Sequence, residues 1–531
     1  MKTKLAFAAA LLAASMLGGV ANAKTLVYCS EGSPEGFDPG LYTAGTTFDA
    51  SSRTVYNRLV EFKHGSTELE PGLAESWTIS DDGLEYTFKL RPGVKFQTTD
   101  FFTPTREFNA DDVIYSFDRQ LKADNPWNKY VAGAAWEYSA GMGFPDLIKG
   151  IEKVDDHTVK FVLNHPEAPF LADLGMDFAS VLSKEYADKL AADGKMEQMN
   201  QMPLGTGPFT FVAYQQDAAI RYKANADYWN GKPKIDDLVF AITTDASVRR
   251  QKLEAGECQI YPYPNAADVE ALKANKDLNV EEQAGLNVAY LAYNTLVAPF
   301  DKAEVRRALN QAINKQAIVD AVFEGQAQVA KNPIPPTMWS YDDATVDDKY
   351  DPDAAKAALE AAGVKDLKMK IWAMPVSRPY MLNARRAAEL MQADLAKVGV
   401  TAEIVTYEWA EYLKRSSDKD RDGAVILGWT GDNGDPDNFL DTLLGCTAVG
   451  GNNRAQWCNK EFDDLVKKAK QTSDQAERAK LYQQAQVVFK KEAPWATIDH
   501  SKVFMPMSKK VIGYTQDPLG IHRFDNVDIA E

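Results

Sequence analysis

Histidine is scarce in this sequence, with five among 531 residues. They are scattered, and no CxxC pair occurs, so neither histidine nor cysteine spacing offers a metal centre. Clusters of basic residues are missing too. The formal net charge of −17 argues against nucleic acid and anionic lipid as partners, because an acidic surface repels both. After the first two dozen residues no apolar run approaches the roughly 20 residues that a membrane-spanning helix needs. The signatures of common catalysts are absent as well: no GxSxG elbow, HExxH pair, Walker loop or GxGxxG turn.

Two segments imitate functional motifs. Ser416-Ser417-Asp418-Lys419 fits SxxK, but it sits in a hydrophilic run over residues 414–422, with no KTG after it, where a buried nucleophile has no setting. Asp418-Lys419-Asp420-Arg421-Asp422-Gly423 matches the first half of a calcium loop. The twelfth position, which needs a bidentate Glu, is Trp429, so a solvated turn between helix and strand is expected.

What the sequence does contain begins with a secretory leader over residues 1–23. Lys2 and Lys4 precede an apolar stretch over residues 5–17, and Ala21-Asn22-Ala23 forms a small-x-small cleavage site after Ala23. Cys29 lies past the apolar core behind Leu26-Val27-Tyr28, the wrong place for a lipoprotein cysteine. The mature chain is expected outside the cytoplasm and large enough for two or three domains. Four cysteines (Cys29, Cys258, Cys446 and Cys458) in an exported protein suggest two disulfides, for which three pairings exist. The nearness of Cys446 and Cys458 in a Gly- and Asn-rich stretch favours a local bridge, leaving Cys29 with Cys258. Their contributions would be roughly 3 and 5 kcal/mol as upper figures.

Pro and Gly punctuate the chain evenly, as in a compact α/β protein. Residues 87–90 and 159–163 read as strands. Asn109 caps a helix, and residues 203–209 form a rigid turn that marks a crossing between lobes. In the carboxy-terminal half, residues 367–373 alternate as a strand, residues 383–398 carry apolar positions at helical spacing up to Gly399, and residues 400–404 alternate again. This βαβ unit predicts a parallel sheet with a right-handed crossover. Residues 424–427 form the next strand and run into a loop over residues 430–438. Ligands of open α/β sheets bind at the carboxyl ends of strands. Arg378 and Asp432 or Asp435 stand in two such loops. Each alone reads as a surface residue; together they make a candidate clamp for a zwitterion. Trp372, Tyr380, Tyr407, Trp409 and Trp429 cluster nearby, mostly as core, with one or two able to keep water from a bound ion pair.

Several segments carry a family resemblance: residues 24–32, Gly72-Leu73-Ala74-Glu75-Ser76-Trp77, Asn109-Ala110-Asp111-Asp112-Val113, Gly205-Thr206-Gly207-Pro208-Phe209, residues 374–380 and residues 429–439. From Lys24 onward the chain resembles the peptide- and nickel-binding receptors of ABC importers, and the last two segments resemble the dipeptide branch. The resemblance implies an α/β, two-lobed periplasmic-binding-protein fold (type II, cluster C) with three domains and a hinge. Domain I would comprise residues 24–57, 204–285 and 500–531, domain II residues 58–203, and domain III residues 286–499. It further implies a monomeric, non-enzymatic, periplasmic receptor without cofactor or metal that delivers dipeptides to an inner-membrane ABC permease and is open to reading by a chemoreceptor. Asp432 would hold the ligand's ammonium and Arg378 its carboxylate, with Thr43, Pro379, Tyr380, Trp429, Thr430 and Gly431 around the peptide. The family's disulfides match Cys29 with Cys258 and Cys446 with Cys458. Sibling receptors of the same fold for haem, aminolevulinate, nickel or longer oligopeptides are the alternatives that fold alone leaves open.

Overall fold

The βαβ unit forms as its periodicity predicts. In the computed structural model, which describes residues 23–133 and 135–530, strand Lys368–Trp372 leads through helix Ala384–Lys397 into strand Thr401–Val405, parallel to the first. The helix is capped by the Asn383 side chain and lays Ala387, Ala388, Met391 and Leu395 on the sheet. Strand Ala424–Thr430 lies on the other side of Lys368–Trp372, also parallel. Asn287–Tyr293 and Trp495–Thr497 complete a five-stranded mixed sheet by antiparallel pairing. Apolar residues of this sheet and its helices form one large core.

The rest of the chain builds the opposing lobe. Thr25–Tyr28 pairs in parallel with Asp237–Ala241, followed outward by Ala219–Ala224 and Phe209–Gln215. A second antiparallel sheet orders Ala74–Ile79, Glu85–Leu90, Thr158–Leu163 and Ile148–Asp155. Both share a second core. Asn109 closes a capping box with Asp112 on helix Ala110–Leu121. Around the turn expected over residues 203–209, a Cβ on Gly205 would come within 2.2 Å of the Val55 carbonyl oxygen, so only glycine fits the approach.

Two neighbouring segments cross between the lobes. Strand Leu278–Ala284 runs into Asn287–Tyr293, and Trp495–Thr497 runs back into Asp499–Ser508, which pairs with Leu278–Ala284. The Asn287 side chain donates to the Ser501 carbonyl and accepts from its N–H, at 3.2 and 3.0 Å. The molecule is therefore a two-lobed α/β protein joined by paired strands.

The disulfides pair Cys29 with Cys258 and Cys446 with Cys458. The first lies in a small apolar cluster of its own with Leu253, Tyr261, Leu272 and Leu278. The predicted leader falls outside the described residues but for Ala23, and no described helix is long and apolar enough to cross a membrane. The calcium-loop look-alike is a turn wrapped around the Arg421 guanidinium, which donates to the carbonyls of Ser416, Gly423 and Arg454. Ser416 of the SxxK look-alike is buried and donates to the Leu413 carbonyl.

Candidate functional site

Because Lys368–Trp372 and Ala424–Thr430 are adjacent and parallel, the loops leaving them open on the same side. Arg378 stands in the first loop and Asp432 in the second, and both line one cavity between the lobes. The first loop is cinched by reciprocal backbone bonds between Arg378 and Met381, both 3.0 Å, and held from behind by Ser501, whose hydroxyl donates to the Pro379 carbonyl at 2.5 Å. The second is fixed by Asn438, whose side-chain oxygen accepts from the Asp432 N–H and the Trp429 indole at 2.8 and 2.9 Å.

Asp432 receives hydrogen bonds on Oδ2 from the Tyr138 hydroxyl of the opposite lobe, at 2.6 Å, and from Asn438, at 3.1 Å. Neither bond uses Oδ1. The residue is partly exposed and lines the cavity. Burial pushes its carboxyl up to about 7, against the lowering effect of the Tyr138 bond. Asp435, the other acid considered in this loop, instead pairs with Arg478 at 2.8 Å and is not part of the lining.

Arg378 is buried and paired with Glu31, which comes from the opposite lobe just after strand Thr25–Tyr28. The rings of Tyr263 and Trp409 flank its guanidinium, 5.7 and 5.9 Å from its carbon. Burial works against its charge, but Glu31 and the surrounding hydroxyls and carboxylate outweigh it and raise its pKa. Gly45 gives it passage, since a Cβ there would stand 2.9 Å from a terminal nitrogen.

Seven of the eight residues assigned to the ligand by resemblance line this cavity: Thr43, Arg378, Pro379, Tyr380, Trp429, Thr430 and Asp432. Gly431 sits one layer behind, where its N–H donates to the Leu286 carbonyl at 2.8 Å and a Cβ would strike Leu286 and Phe439. Of the clustered aromatics, Tyr380, Trp409 and Trp429 face the cavity, while Trp372 and Tyr407 pack on each other with ring centres 4.9 Å apart. The sequence reading did not find Arg53, Tyr263, Tyr290, Asn452 or Arg454, which complete much of the wall. They come from separate elements with no common spacing.

The lobes meet through polar pairs besides Tyr138–Asp432 and Arg378–Glu31. The Asn433 side chain donates to Asp173 at 2.8 Å, and Thr43 donates to Asn452 at 3.2 Å. Lys470 bridges Glu167 of the opposite lobe and Asp441 of its own at 2.9 and 2.7 Å, with all three side chains buried. A cavity sealed by such contacts between two hinged lobes, with fixed opposite charges, is the arrangement of a binding protein that closes on a small ligand.

Comparison with known proteins agrees. The family model for bacterial extracellular solute-binding proteins, family 5, matches residues 68–451, and the chain belongs to that family. It is 57% identical to the dipeptide-binding protein of Escherichia coli strain K12 over 100% of this chain and 98% of the other. It is 51% identical to heme-binding protein A of Haemophilus influenzae over 95% and 92%. The crystal structure of a dipeptide-binding protein from Pseudoalteromonas sp. SM9913 in complex with Met-Leu superposes with a TM-score of 0.92, at 42% identity, covering 95% of this chain and 100% of that one.

Proposed function

We propose that this protein is a periplasmic, monomeric receptor that captures dipeptides and delivers them to an ABC permease, without catalysing a reaction on them. The leader, cleaved after Ala23, would place it there. The observation that carries the reading is the pair of opposite charges, Asp432 and Arg378, at two points of one buried cavity. The dipeptide-binding relatives and the Met-Leu complex support it.

Asp432 receives the ligand's ammonium, its free Oδ1 being the acceptor, and Arg378 receives the carboxylate through the guanidinium face that Glu31 does not occupy. Thr43, Pro379, Tyr380, Trp429 and Thr430 surround the peptide, and Gly431 keeps the loop close to Leu286. An extended dipeptide spans roughly 7 Å between its end groups, so fixed partners for both ends measure length, and a tripeptide overshoots. An N-acetyl or amide cap removes the charge that Asp432 or Arg378 would pair with, at a cost of several kcal/mol, which rejects capped peptides. Bridging water accommodates differing side chains. Closure follows because Tyr138 and Glu31, the partners that complete the surroundings of Asp432 and Arg378, come from the opposite lobe. Three structural units, divided as the resemblance implies at residues 57/58, 203/204, 285/286 and 499/500, would move as two bodies about the paired crossing strands, and the closed surface is what the permease, or a chemoreceptor, reads.

Titration calorimetry with a dipeptide, its N-acetyl and amide derivatives and a tripeptide tests this. The free dipeptide is expected to bind at least a hundredfold more tightly than the other three, and equal affinities would refute the clamp. Arg378→Ala and Asp432→Ala are each expected to cost about 3–5 kcal/mol of binding. An absorbance spectrum of the purified protein without a haem band separates this reading from a haem receptor.

A further inference from the structure

Three guanidinium groups line the cavity, and their charges are not balanced alike. Arg53 is paired with Asp49 at 2.6 Å and Asp177 at 3.0 Å, and Arg378 is paired with Glu31. Arg454 is 4% exposed, and its carboxylate neighbour is Glu137 at 4.0 Å, beyond hydrogen-bond range. One terminal nitrogen of Arg454 donates to the Gly451 carbonyl, while its Nε has no acceptor among the described residues. Burial raises the pKa of Glu137, with Arg454 pulling it back only in part. Glu35, whose charge is also felt here, is pushed up to about 8 by burial and by Glu137.

Asn452 stands beside it, also 4% exposed. Thr43 donates to its Oδ1, which fixes the orientation of the amide and leaves Nδ2 without an acceptor among the described residues. Arg454 and Asn452 thus line this part of the cavity as a cation whose carboxylate neighbour is beyond hydrogen-bond range and two buried donors without an acceptor among the described residues. A zwitterion whose two ends are held by Asp432 and Arg378 brings no charge for it. A ligand with one further carboxylate does, since an ionised carboxylate is acceptor-only and matches a guanidinium fork.

We propose that Arg454, assisted by Asn452, recognises an acidic side chain, so that the receptor prefers dipeptides containing Glu or Asp. The proposal rests on the dipeptide reading above. It assigns selectivity to the loop closed by the Cys446–Cys458 disulfide, which carries both residues.

The test is calorimetric titration of the mature protein with Ala-Glu and Glu-Ala, their isosteres Ala-Gln and Gln-Ala, and Ala-Ala. At least one acidic dipeptide is expected to bind tenfold or more tightly than its amide isostere. Arg454→Met is expected to bring that ratio to about one, each acidic dipeptide being compared with its amide isostere on the same variant. Asn452→Ala, which removes a donor but no charge, is expected to narrow the ratio several-fold and serves where Arg454→Met does not fold. Binding of Ala-Ala with no acidic preference overturns this proposal alone, as does an equal loss of all five ligands in both variants. Failure of every dipeptide, Ala-Ala included, overturns the dipeptide reading and this one with it.

Discussion

At the scale of the residue, the proposed role of Asp432 as partner of the ligand's ammonium makes affinity depend on its protonation. Its carboxyl is pushed up to about 7, first by burial, and only the ionised form pairs with a cation. Above pH 7 the carboxylate is already formed and affinity is at its plateau. As pH falls through 7 the proton must leave before the ammonium can enter, and affinity drops toward tenfold per pH unit, about 1.4 kcal/mol each. Calorimetry of a free-amino dipeptide between pH 5 and 8 is expected to show this slope, with proton release on binding near pH 6.5. A flat profile would mean that Asp432 does not hold the ammonium. Residue types at this level were legible in the sequence: an Arg and an Asp at strand ends are conspicuous. Their pairing with Glu31 and Tyr138 was not, since those partners lie hundreds of positions away.

At the scale of the element, the register of two parallel strands does the positioning. Lys368–Trp372 and Ala424–Thr430 are neighbours, so loops of modest length carry Arg378 and Asp432 to one mouth. Local rules sufficed to predict this half, because helix capping, apolar periodicity and the stop at Gly399 all act within a few residues. The turn around Gly205 tests the same idea in the other lobe. A Cβ there would lie 2.2 Å from the Val55 carbonyl oxygen, so Gly205→Ala is expected to lower stability by about 2 kcal/mol or more, read as a shift of the denaturation midpoint. Asn109→Ala, which removes the capping box of helix Ala110–Leu121, is expected to cost about 1 kcal/mol.

At the scale of the whole molecule, apposition of the lobes depends on buried polar pairs outside the cavity. Lys470 neutralises Glu167 across the interface and Asp441 on its own side. In Lys470→Met the two carboxylates are left buried without their cation, a change on the order of 3–5 kcal/mol. Dipeptide affinity is expected to fall at least tenfold although no cavity residue is touched, as titration calorimetry would show. A binding constant equal to that of the unmodified protein would mean that the lobes need not meet there. Replacing Cys29 and Cys258 by serine frees the amino-terminal strand from a point 229 residues away. The expected loss of stability is up to about 5 kcal/mol, with ligand affinity near normal at temperatures where the variant is folded.

The sequence by itself determined the pattern of local structure: the βαβ unit, the capped helices, the punctuation by Gly and Pro, and two loops of opposite charge at strand ends. It did so because these depend on side-chain spacing and backbone freedom, which act over a few residues. Only the tertiary structure decided what encloses those charges. Glu31, Arg53, Tyr138 and Tyr263 reach the cavity region from the opposite lobe, and Asn452 and Arg454 from a disulfide loop, by a folding path that no periodicity records. It also decided that Asp432 rather than Asp435 faces inward, because Arg478 draws Asp435 the other way. Charge and burial act through space, and distance in space is what the chain's order along the sequence does not contain.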